Sequence, residues 1–306
     1  MNTYFKYYLI LISVVLFSSC EKYQLDDPAL EVTTDKTTIK AGEPITFKFV
    51  GSPQMLSFYS GEFLKDYNYA TNSRALKNCY LSFSSATVAA TQQANQLAVL
   101  VSSDFDGKYA IDNIRKATWV DITNRFVLAK NATVTASTEV DIMDLVVAGK
   151  PLYLAFRYIT KPQTDFGAAN DWNITAVLLK SKLDDGQVTL MDYGSGSNFS
   201  VFSYGNKQAG RSLVNTTTIQ FKGNATAEIK EEYTEDWGIS RAIYINPNDL
   251  GTDKATALKL FREAKKESYT YTYANAGTYT ATFIGETNNV YGNKKVVRQL
   301  DITVTN

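Results

Sequence analysis

Asp104, Asp106 and Asp112 stand in one Gly-containing stretch, Ser103-Asp-Phe-Asp-Gly-Lys-Tyr-Ala-Ile-Asp112. Carboxylates at alternate positions can offer calcium two hard oxygens at short range, and a third nearby would extend the set. The later glutamate of an EF-hand is missing, and the same residues equally suit an Asx-stabilised hairpin loop. A second carboxylate group, Glu231, Glu232, Glu235 and Asp236, runs up to Trp237. Glycoside hydrolysis needs two carboxyls about 5 to 9 Å apart across a cleft, which adjacency in sequence does not establish. The expectation for such a run is a solvated face. Trp119, Trp172 and Trp237 offer flat faces for a sugar ring, although strand-like surroundings make core burial the commoner fate. Tyr67, Tyr69, Phe166, Asn170, Phe199 and Tyr204 lie in Asn-, Ser- and Gly-rich connections. Binding groups are often presented there by a rigid scaffold, so these six are the expected ligand contacts.

The chain has no histidine. That removes Ser-His-Asp and Cys-His nucleophiles, a histidine general base and His-ligated metal. Cys79, in Cys-Tyr-Leu-Ser-Phe, reads as a small buried thiol rather than a nucleophile. Gly194-Ser-Gly196 lacks the Lys-Ser/Thr of a phosphate loop. Equal numbers of basic and acidic residues, 31 of each, give no electrostatic case for nucleic acid. No catalytic residue is assigned, and no cofactor apart from the calcium left open at Asp104, Asp106 and Asp112.

At the N-terminus a single charge, Lys6, precedes the apolar run Tyr7–Phe17, then Ser18, Ser19 and Cys20. The run is short for a membrane span and carries the flank of a secretory signal. Small residues before a cysteine resemble the lipobox of bacterial lipoproteins, although Phe17 stands where Leu is usual. The resemblance implies acylation of Cys20, attachment to the outer membrane, and residues 1–19 as a cleaved signal; the other readings are a signal-anchor helix and a cleaved signal in which Cys20 is incidental. Cleavage would remove Lys6 alone, leaving 30 basic against 31 acidic residues and a net charge of −1. With Cys20 acylated, no intrachain disulfide can form. Residues 20–29 form a polar tether whose Asp26 and Asp27 resemble surface-export signals of Bacteroidetes lipoproteins; a plain linker would leave the protein on the periplasmic face.

The elements that must position these groups read as strands. Ile45, Phe47 and Phe49 alternate with polar residues, as do Leu300, Ile302 and Val304, while Leu97, Val99, Val101 and Leu152, Leu154, Phe156, Tyr158 repeat the period. Period two marks antiparallel sheets with one buried face. The exception is Ala255–Lys266, whose Leu258 and Phe261 have helical spacing and which reads as a turn or short helix.

Gly42-Glu-Pro44 leading into Ile45–Val50, with Ser268–Tyr273 and Ala276-Gly-Thr-Tyr279 far downstream, resembles the two ends of a PKD domain, an immunoglobulin-like sandwich. Gly277 is expected at a positive φ, as a tight corner requires. The PKD core motif Trp-Asp-Phe-Gly-Asp-Gly is replaced by Ser57-Phe-Tyr-Ser-Gly-Glu62. The order between these ends resembles choice-of-anchor jelly rolls, which look like galactose-binding sandwiches. The expected fold is therefore all-β: a PKD-like sandwich from residues 30–62 and 267–306, interrupted by a jelly roll over 63–266 whose end falls between 240 and 266. The whole resembles an uncharacterised family of Bacteroidetes surface lipoproteins found beside glycan-uptake systems. That implies a non-enzymatic module binding polysaccharide or outer-membrane uptake proteins. An adhesive subunit and a carboxylate-based hydrolase are the alternatives.

Overall fold

The computed structural model describes residues 25–88, 93–193, 198–247, 249–290 and 292–306. The signal segment and Cys20 lie outside the described residues. Nearly all regular structure is β. In chain order the strands begin with β1 (Leu30–Thr34), β2 (Thr38–Lys40), β3 (Pro44–Gly51) and β4 (Met55–Tyr59). Then come β5 (Tyr80–Thr87), β6 (Leu97–Ser102), helix α1 (Ile111–Lys116), β7 (Val120–Asp121), β8 (Thr135–Ala136), β9 (Val140–Asp141) and β10 (Pro151–Thr160). The short helix α2 (Gln163–Phe166) precedes β11 (Trp172–Leu183), β12 (Gly186–Asp192), β13 (Phe199–Tyr204), β14 (Leu213–Val214), β15 (Thr218–Phe221), β16 (Thr234–Ser240) and β17 (Ile243–Tyr244). The chain ends with β18 (Thr256–Lys259), β19 (Ser268–Thr272), β20 (Gly277–Asn289) and β21 (Gly292–Thr305). Among the described residues no helix is long and apolar enough to cross a membrane.

The chain divides into two compact units, one from residues up to Asn72 together with Thr252–Asn306, the other Ser73–Gly251. In the first, β1-β3-β19 forms one sheet and β18-β4-β20-β21-β2 another. Alternation in β3 sends Ile45, Phe47 and Phe49 inward, where Phe47 meets Phe283 of β20 at 4.9 Å. Both ends of the chain therefore supply one core, with Ile302 and Val304 closing it.

Two expectations are corrected in this unit. Residues 256–259 form strand β18, not a helix. Pairing with β4 outweighs the three-residue spacing of Leu258 and Phe261: Leu258 packs on the core, whereas Phe261 stays exposed. Lys259 is buried, with its ammonium on the Gln54 carbonyl at 2.6 Å. Gly277 is not among the positive-φ residues; it opens β20. A Cβ there would lie 3.1 Å from the Tyr279 ring and hydroxyl, so the glycine makes room for that ring, which stacks on Tyr273 at 4.7 Å.

The second unit packs the sheet β14-β15-β11-β5-β8, with β9 and β12 at its margins, against β13-β16-β10-β6-β7, with β17 on β10. Their shared core takes Leu81 and Phe83 from β5, Ile174 and Leu179 from β11, and Val99, Leu154 and Phe156 from the facing sheet. Gly238 of β16 permits the close approach, since a Cβ would stand 3.0 Å from both Ile219 and Phe221. One face buried does not describe the second sheet. Every residue of β6 and β16 is buried, because the segment 103–121 with α1 folds over part of its outer face and builds a smaller core there from Phe105, Ile114, Tyr153 and Ile239.

Candidate functional site

The acidic run before Trp237 is not a solvated face. Glu232 is exposed, but Glu235 and Asp236 are 6% and 0% exposed. The run enters β16, where alternation turns consecutive residues to opposite faces. Asp236 points inward and accepts from Ser203 Oγ and Ser212 Oγ, both at 2.6 Å. It also pairs with the Lys207 ammonium at 2.5 Å, whose pKa burial pushes below the usual lysine range. Glu235 points outward with Trp237.

Sheet register assembles the outer face. Phe202 and Arg157 lie opposite Trp237, Ala98 lies opposite Arg157, and Tyr204 lies opposite Glu235. Directly paired residues present their side chains on one face. The segment 103–121 supplies the rest. Arg115, in the last turn of α1, places its guanidinium 3.6 Å from the Tyr204 ring centroid and its Nε 3.3 Å from Glu235 Oε2. Trp119 is half-buried, its ring 5.5 Å from that of Trp237 at 48°, and its indole N–H donates to the Ile114 carbonyl at 2.8 Å. The two indoles, with Arg115, Arg157, Asp121 and Glu235, line a concavity of about 330 Å³.

Glu235 is fully engaged. Besides Arg115 it accepts from the Tyr233 hydroxyl at 2.9 Å and the Trp237 indole N–H at 2.8 Å. Burial, then the hydrogen bond to Glu235, pushes the Tyr233 phenol up to about 12. Arg157 differs: its guanidinium lies 5.3 Å from the Trp237 ring centroid, and its Nε is buried without a hydrogen-bond partner. The arrangement can hold a flat, partly apolar ring against indole while polar groups fix its hydroxyls or a charge.

Of the three aspartates expected as calcium ligands, Asp104 and Asp106 accept hydrogen bonds within the segment that carries Trp119. Asp104 Oδ1 accepts from Ser102 Oγ and the Thr118 N–H, both at 2.9 Å, which ties the start of the segment to the residue before Trp119. Hydrogen bonding by Thr118, with Ser102 assisting, holds its carboxyl below the usual range. Asp106 accepts from the Lys108 N–H at 2.9 Å and Asn113 Nδ2 at 2.8 Å. Asp112 lies in the first turn of α1, where negative charge suits the helix dipole. Among the described residues no three Asp, Glu, Cys or His side chains form a metal-holding group.

Of the six expected ligand contacts, Tyr204 alone joins this site, under Arg115. Tyr67 and Tyr69 form a 3₁₀ turn in the other unit. Phe166 ends α2, exposed, with the Lys161 ammonium 4.8 Å from its ring. Asn170 and Phe199 are buried rather than displayed: the Asn170 carbonyl accepts from Tyr158 at 2.6 Å, and Phe199 packs in β13 against Tyr193 at 5.4 Å. Trp172 is core as well. Nothing in the sequence marks Arg115 and Arg157, although Ile111 and Ile114 at helical spacing, with Asp112 early and Arg115 and Lys116 late, carried a readable signal for α1.

Two other concavities lie in this unit. One of about 440 Å³ is lined by Asn173, Thr175, Thr218 and Gln220 without charge or aromatic face. One of about 360 Å³ lies by Asp192, Arg241 and Tyr244.

Fold and site thus define an all-β protein of two units, one displaying an indole-lined, ion-flanked concavity. The sequence profile of a domain of unknown function, DUF5017, matches residues 19–197. The chain belongs to that family. The matched span contains Arg115, Trp119, Asp121 and Arg157, while Glu235 and Trp237 lie beyond it. No curated protein matches the chain.

Proposed function

We propose that this is a lipid-anchored envelope protein whose second unit binds glycan, without chemistry on it, in the concavity lined by Trp119 and Trp237. The observation that carries this reading is the half-buried Trp119 set against Trp237 beside Arg157, since indole faces with a few convergent polar groups suit sugar rings. A binding role fits Glu235 better than an acid's role, because Arg115, Tyr233 and Trp237 already occupy its oxygens. Acylation at Cys20 would hold the protein on the outer membrane, with the tether at Asp26 and Asp27 carrying it to the cell surface. On the same reading the terminal sandwich is PKD-like, the family is one of Bacteroidetes surface lipoproteins, and the bound glycan is passed to outer-membrane uptake partners.

Affinity electrophoresis against a broad polysaccharide panel tests the binding claim. Retardation by at least one polymer, weakened ~10-fold by Trp119→Ala, is expected. Retardation by none would refute it. Metabolic labelling with a fatty acid, lost in Cys20→Ser, tests the anchor separately.

A further inference from the structure

Arg157 narrows the class of ligand. The other guanidinium of the site is answered by Glu235 and stacked on Tyr204. Among the described residues no carboxylate pairs with Arg157, and its buried Nε lacks an acceptor. Asp121, the other acid lining the concavity, has Oδ1 already committed to Thr123, at 2.9 Å from the N–H and 2.6 Å from the hydroxyl. The Arg157 side chain is also held in place: it projects from the middle of β10, paired with Ala98 of β6 on one side and Trp237 of β16 on the other. One guanidinium face lies toward the Trp237 indole, and the side chain lines the concavity.

We infer that the ligand is an acidic saccharide, its ring on the Trp119 indole and its anionic substituent on Arg157. This rests on the glycan-binding reading and adds the charge. Guanidinium is suited to the task because its planar fork donates two parallel N–H bonds to a carboxylate or sulfate. The whole chain is electrically balanced, with 31 basic and 31 acidic residues. General attraction of polyanions therefore does not account for a preference of this kind.

The full chain is titrated with polygalacturonate and with its fully methyl-esterified form, which keeps the backbone and loses the charge. Dextran sulfate and dextran form a second pair that separates sulfate from carboxylate. The expected result is a preference of ~10-fold or more for the charged member of at least one pair, with Arg157→Gln bringing that polymer down to the level of its neutral counterpart. Arg157→Lys, which keeps charge without the fork, should retain part of the preference. Equal binding of charged and neutral members would overturn the inference and leave glycan binding intact. Binding of none of the four would also overturn it, and the glycan reading falls with it only if the broad panel is silent too. The comparison of wild-type protein with the two pairs needs no variant, so a misfolded Arg157→Gln does not blunt the test.

Discussion

Replacing Asp236 by asparagine keeps shape and most hydrogen bonding while removing one charge, and it tests what fixes β16. The carboxylate is wholly buried, and the Lys207 ammonium it pairs with is nearly so, with side-chain exposures of 0% and 6%. In the variant Lys207 would retain the Lys222 carbonyl, at 2.5 Å, and the Tyr158 ring, 5.5 Å away, but would lose its ion-pair partner, with only Asp171 acting on it from beyond contact. Breaking a buried pair from one side costs about 3 to 5 kcal/mol. An upper bound follows from letting the lysine shed its proton. From the ordinary value of 10.5 down to pH 7, at 1.36 kcal/mol per unit, that costs about 5 kcal/mol. At this bound the native variant holds a neutral lysine while the unfolded chain binds the proton. Stability then rises with pH, and the penalty shrinks by about 1.4 kcal/mol per unit from pH 7 towards 10. Urea unfolding followed by tryptophan fluorescence is the assay, because Trp119, Trp172 and Trp237 all fall within Ser73–Gly251 and report that unit alone. With m near 2 kcal/mol/M the midpoint should drop by roughly 2 M at pH 7. Adding Lys207→Met to Asp236→Asn should recover most of the loss, since the stranded charge is then gone. A cost below about 1 kcal/mol that does not change with pH would refute the reasoning, as would a double variant no better than the single one.

Asp104→Ala should cost about 1 to 3 kcal/mol by freeing Ser102 and Thr118. It should also weaken polysaccharide retardation, because Thr118 holds Trp119 in place. Calcium up to millimolar levels should leave the wild-type Tm unchanged; a rise on adding calcium would restore Asp104, Asp106 and Asp112 as ligands. Cys79 is wholly buried, and burial pushes its thiol up to about 12. Iodoacetamide at pH 8.5 followed by peptide mapping should leave it unmodified in native protein and alkylate it in urea. Between pH 9 and about 12 the unfolded chain loses this proton and the native chain keeps it, so its contribution to stability declines as pH rises.

The all-β architecture was legible because period two is a local property. Ile45, Phe47 and Phe49 announce β3 without reference to anything distant, and the structure buries all three. The site was illegible for the opposite reason. Glu235 and Asp236 look solvated because strand alternation separates polar from apolar only when one face meets water. In β16 neither face does. What covers its outer face is contributed by α1 and Trp119, more than a hundred residues earlier, and no window along the chain contains both. The choice between calcium and a hydrogen-bonded loop at Asp104, Asp106 and Asp112 was illegible on similar grounds. Acidic residues spaced for a metal are also spaced for capping a loop, and the choice depends on the donors that fold back onto them. Here the donor is Thr118, the neighbour of Trp119. On the proposed glycan-binding reading, Asp104 would then serve by positioning the Trp119 face rather than by meeting the ligand.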